Sequence, residues 1–344
     1  MGNESDYESE PLSKKPKTKG FKGTAQRLRQ GKESHLAHRA SLDWRQDQKR
    51  VCEPFGDVND CVDLEELKTI LMQSMTAETL LCAESAKGLK IYYDPQMPLS
   101  QFYPRGEESI ITLNPYRPKG DLLNMLVREL RRAWQHRQGA LVNPMSFEPD
   151  EAVLVNRAQQ ADVLMVSIKV AWELKLVGEA DAWNFMAGSS MADITRAFEI
   201  HAQKDFRTLN NGEASRAAYD KFFEGSRTKI HDKRIIHQML LDDQGYMKSQ
   251  QKRPKVSMDL FKKLGELPHG RNYLSLSGKK PPTDMCYSTI EDRSNANFLW
   301  FIKFERSFQE KELQMLQESV KASADIVDFT KWSLHTRRPA DPGL

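Results

Sequence analysis

Ser109-Ile-Ile-Thr-Leu-Asn-Pro115 and, a few residues on, Leu122-Leu-Asn-Met-Leu-Val-Arg-Glu-Leu-Arg-Arg-Ala-Trp134 carry the decisive pattern. The first stretch is rich in β-branched residues and closed by proline, which predicts a short strand. In the second, Leu122, Leu123, Leu126, Val127, Leu130, Ala133 and Trp134 fall on one arc at 100° per residue, which predicts an amphipathic helix. Asp121 is placed to cap its start, and Gly139 to end it. On this wheel Glu129 borders the apolar arc. Arg132 and His136 lie just outside it, and Arg128 faces away.

Working outward, Leu89-Lys-Ile-Tyr-Tyr-Asp94 predicts a second strand, and Leu64, Leu67, Ile70, Leu71, Met75, Leu80 and Leu81 recur at helical spacing. Beyond the motif helix, Pro149 opens a segment running to Leu176 that is apolar almost all round, as a central buried helix would be. Helical patterns follow over about 181–187, 190–205, 212–224, 228–242, 257–264 and 296–333. The fold class expected is α+β, predominantly helical.

The strand leading into Val127-Arg-Glu-Leu-Arg-Arg-Ala-Trp134 resembles a minimal zincin, and the octet is similar to HELRHAW in a family of uncharacterised bacterial proteins labelled putative metallopeptidases. The resemblance covers roughly residues 60 to 250. It implies a core of helix, short strands, motif helix and following buried helix, with the remaining helices added C-terminally. It also implies zinc, held by two histidines one helical turn apart, with the glutamate between them polarising a water. Here those two positions hold Arg128 and Arg132. A guanidinium has no lone pair to donate and stays protonated, so only Glu129 matches, as a vestigial general base.

The further ligand implied by the family would come from the next helix. Glu151 and the stretch Gln160-Ala-Asp162 stand there, and glutamine is a poor anionic ligand. With the ligand set broken, no metal is expected at Arg128, Arg132, Glu151, Gln160 and Asp162, and the expected role is non-catalytic binding or scaffolding. In place of the ion, an ion-pair network is expected, joining Arg128 or Arg132 to Glu129 and to Glu151 or Asp162. A polypeptide could be recognised along the edge strand expected at Ser109 to Asn114, by β-augmentation. The alternative is an active metallopeptidase that holds zinc through other ligands.

The chain has 344 residues, of which 39% are hydrophobic, enough for a sizeable core. No apolar run approaches the roughly 18 residues a bilayer span needs, so no membrane association is expected. Cys52, Cys61, Cys82 and Cys286 show no CxxC spacing, which fits reduced thiols in a cytoplasmic protein. Residues 1–50 differ in composition. Lys14, Lys15, Lys17, Lys19 and Lys22 lead a basic stretch without acids, expected to be a disordered arm able to touch nucleic acid. The expected division is therefore 1–50 arm, 60–250 zincin-like domain and 251–344 helical extension.

Overall fold

The helix and sheet order follows from where the chain can bury its apolar faces. The computed structural model describes residues 61–105, 108–242, 245–248, 253–269, 272–276, 281 and 283–334. It begins with α1 (Leu64–Leu71) and α2 (Met75–Ser85). The helical spacing from Leu64 to Leu81 is thus split in two. Ser74 caps the second half by accepting from the Ala77 N–H at 3.1 Å, and its own hydroxyl donates to Glu173 at 2.5 Å.

Three short strands come next: β1 (Lys90–Tyr93), β2 (Ser100–Tyr103) and β3 (Ile110–Leu113). Their order in the sheet is β1-β3-β2. β1 runs parallel to β3 with Ile91 opposite Ile111, and β2 runs antiparallel with Phe102 opposite the same Ile111. This corrects one expectation. The 109–114 segment is the centre of the sheet and not its edge, because Ile111 and Leu113 are fully buried and the strand is paired along both sides. A peptide cannot add to a strand whose hydrogen-bonding groups are already taken, so β-augmentation at Ser109 to Asn114 is excluded.

α3 (Lys119–Arg137) carries the motif, and β2 and β3 pack on it. It starts earlier than expected, with Pro118 at the cap position. Asp121 stands in the first turn instead, bonded by Arg117 Nε at 2.7 Å. Gly139 does follow its end, with φ at 65°, a left-handed conformation that glycine adopts without strain. Near the start, Gly120 lets α5 (Asp181–Ala187) come close. A Cβ there would lie 2.4 Å from the Asp181 carbonyl oxygen.

The long helix α4 (Pro149–Leu176) has 28 residues, about 42 Å at 1.5 Å per residue, and is buried along most of it. Around it gather α3, α5 and, further along the chain, α6 (Ala192–Lys204), α8 (Glu213–Phe223) and α9 (Arg227–Leu241), with the short α7 (Thr208–Asn211) packed on α6 and α8. Of these, α3, α5, α8 and α9 make the larger contacts with α4. The chain then forms α10 (Met258–Leu264), α11 (Met285–Ser288) and the long α12 (Arg293–Leu334). Phe261, Leu264, Leu267, Tyr273, Leu274 and Tyr287 belong to the same apolar core as α3 and α4. A second cluster joins Ala152 and Val153 of α4, Ile235, Ile236 and Met239 of α9, and Leu299 and Ile302 of α12. The molecule is α+β and predominantly helical, as the periodicity indicates. No helix among the described residues is long and apolar enough to cross a membrane.

Candidate functional site

The polar flank of α3 meets strand β2 and helix α4, and its chemistry is set by what they bring. Glu129 is fully buried. Its Oε1 accepts from Ser100 Oγ of β2 and from Arg132 Nη1, both at 2.7 Å. Its Oε2 is buried with no hydrogen-bond partner. The i,i+3 spacing therefore does place Arg132 on Glu129, and β2, which the sequence reading left out, supplies the second donor.

The acid expected from α4 is not beside them. Arg132 Nη2 instead reaches Gln160 Oε1, at a long 3.4 Å. Asp162 turns to another arginine of α3. Arg131 Nε donates to Asp162 Oδ2 at 2.8 Å and Arg131 Nη2 to Oδ1 at 3.0 Å. Gln135 Nε2 and the Tyr273 hydroxyl add donors at 2.6 and 2.7 Å. Both members of this pair are 0% exposed. Glu151 is also elsewhere, accepting at 3.4 Å from the Val256 N–H. Glu129, Arg132 and Gln160 thus meet, while Glu151 and Asp162 serve other contacts. Lys14, Lys15, Lys17, Lys19 and Lys22 lie outside the described residues.

Arg131 escaped the sequence reading, although it stands four residues after Val127 and three before Trp134, next to the apolar arc. Arg157 of α4 is a second case. It donates to Asp232 of α9 through Nε at 2.7 Å and Nη2 at 2.6 Å, again with both side chains buried. A buried arginine among apolar neighbours needs an acid, and the acid's address lies 31 or 75 residues away in the chain.

Arg128 does not face open solvent as the wheel suggests. It is half-buried, and burial, followed by the charge of Arg132, lowers its pKa below the ordinary arginine value. His231 of α9 shares this neighbourhood. Burial lowers its pKa from 6.5 to about 4, helped by the charges of Arg234, Arg128, Arg132 and Arg227. A folded ring that protonates only near pH 4, against 6.5 unfolded, leaves the unfolded state holding more protons between those values. The contribution of His231 is intact above pH 6.5 and is lost as pH falls toward 4, by up to about 3 kcal/mol. Urea melts of His231→Gln and the parent at pH 7 and pH 4.5 check this. The variant should lose less stability on acidification, and equal losses would refute the assignment.

Among the described residues, no group of three His, Cys, Asp or Glu side chains is placed to hold a metal ion. What the motif face holds is a glutamate with one oxygen engaged, a guanidinium bonded to it, a second guanidinium and a neutral imidazole.

Comparison with curated proteins and with solved structures gives no match for this chain. The sequence profile of the Putative metallopeptidase family (DUF6782) matches residues 43–275, which takes in the sheet, α3, α4 and the segment carrying Tyr273. That is more than half of the 344 residues, and the chain belongs to this family.

Proposed function

We propose that this member of the family works without zinc, its motif helix serving a binding or scaffolding domain in place of a hydrolase. The observation that carries the reading is the state of Glu129. A general base must meet a water on a metal, yet this carboxylate is sealed from solvent and its Oε1 is shared by Ser100 and Arg132.

The donor set argues the same way. A zinc ion asks for neutral imidazoles, thiolates or carboxylates, and at both histidine positions of the motif stands a protonated guanidinium that repels it. Gln160 offers only a neutral amide oxygen, already in contact with Arg132. His231 is a usable imidazole, but the carboxylate nearest the motif arginines, Glu129, is held by Arg132. The residues present do not fit the metal that the family's description implies.

The purified protein should carry less than one zinc per chain by mass spectrometry, and EDTA should leave its melting temperature unchanged. Stoichiometric zinc whose removal lowers the melting temperature would sink this reading. That result would favour the alternative, a metallopeptidase with a different ligand set.

A further inference from the structure

We propose that Arg128, with Arg132 beside it and His231 from α9 in the same cluster, is the anchor of a binding site for a carboxylate-bearing ligand. The inference rests on the reading that no zinc occupies this position.

The starting point is an imbalance of charge. Arg128 is half-buried and, among the described residues, has no hydrogen-bond or ion-pair partner. A guanidinium taken partly out of water keeps five donors that want acceptors, and neighbouring cations make its position worse. The acids near it are already engaged. Glu129 is held by Arg132 at 2.7 Å, and Asp121 by Arg117 at 2.6 Å. Folding has therefore placed a cation with no direct partner, offset only at longer range by Glu129 and Asp121, whose own contacts go to other arginines, and a ligand could supply the missing contact.

Counting charge in the cluster selects the ligand class. Arg132 and Glu129 cancel, as do Arg227 and Asp193 at 2.5 Å. His231 is neutral at pH 7, and Arg234 is exposed to solvent. One half-buried positive charge remains, on Arg128. A monoanion balances it, whereas a doubly charged phosphate would bring surplus negative charge beside Glu129 and its unpartnered Oε2. A carboxylate also matches the two-pronged geometry of a guanidinium. The long 3.4 Å contact from Arg132 Nη2 to Gln160 is weak enough for a better acceptor to displace it, which gives the ligand a second donor. Such carboxylates are carried by a peptide C-terminus or by an acidic side chain.

The test uses the full chain, with zinc content measured on the same sample. Sodium acetate is titrated at constant ionic strength against sodium chloride, with inorganic phosphate as a third series, and the melting temperature is followed. Acetate should raise it saturably above chloride. Arg128→Gln, which removes an unpaired charge and should fold at least as well, should bind acetate at least about tenfold more weakly, with Arg128→Lys between the two. Peptides ending in a free carboxylate, in its amide, or in an amide with an internal glutamate then separate the two sources of the group. No difference between acetate and chloride, or an undiminished effect in Arg128→Gln, overturns the proposal. Tighter binding of phosphate than acetate overturns the monocarboxylate assignment. If the sample is free of zinc and acetate still fails to bind, this inference falls while the metal-free reading stands.

Discussion

Asp162→Ala is expected to lower the unfolding free energy by about 3–5 kcal/mol, the cost of leaving a buried charge without its partner. The carboxylate is 0% exposed and receives four hydrogen bonds: two from Arg131 and one each from Gln135 and Tyr273. Without it, Arg131 keeps only the Leu264 and Glu266 carbonyls, at 2.7 and 2.9 Å, and its charge stays in the core. Those carbonyls belong to the end of α10 and the turn after it. Loss of Asp162 should therefore also loosen the contact between the motif helix and this later segment. Denaturant unfolding measures the total, and the pair Arg131→Met with Asp162→Leu separates its causes. If the penalty comes from the stranded charge, the double variant should recover much of it. A loss below about 1 kcal/mol for Asp162→Ala would mean that the pair behaves as though solvated.

This network marks the limit of what the sequence makes legible. Helices α3, α4 and α12 are readable because a 3.6-residue period over many turns is a strong signal. α4 also announces its burial by being apolar on all sides. The strand-then-helix order around Glu129 was enough to place the family, which the profile over residues 43–275 shows. Sheet order was not readable. β2 is four residues long and only Phe102 in it is buried, so nothing in Ser100-Gln-Phe-Tyr103 separates a strand from a loop. Once it pairs with β3, the strand expected at the edge becomes the centre.

The site shows the same boundary at finer scale. A helical wheel sees one helix, and it placed Arg128 in solvent because the elements packed around α3 are not on the wheel. It paired Glu129 with Arg132 correctly because that contact stays within one turn. It offered Asp162 to Arg132, when the adjacent Arg131 stands closer to the α4 side and takes it in a two-pronged grip. Local contacts could be read from spacing. Contacts between helices depend on how they pack, which one segment does not encode.

That asymmetry between local and tertiary partners also predicts how the Glu129–Arg132 pair responds to being cut. Arg132→Ala should cost about 3–5 kcal/mol, whereas Glu129→Ala should cost clearly less. The side chain of Arg132 is 23% exposed, and that of Glu129 is 0% exposed. Remove the glutamate, and the guanidinium can turn its head toward water while its stem keeps packing. Remove the arginine, and the carboxylate remains sealed, with Ser100 as its one donor and an Oε2 that already lacks one. Glu129→Gln in the Arg132→Ala background removes the stranded charge at nearly constant volume and should return most of the loss. Denaturant melts of the parent, Arg132→Ala, Glu129→Gln and the double variant form a complete cycle, with Glu129→Ala measured beside it. Two equal and negligible single losses would show the pair to be an ordinary solvated contact. A larger loss for Glu129→Ala than for Arg132→Ala would mean that the glutamate carries structure beyond this pair, and the order of burial argued for this site would then be wrong.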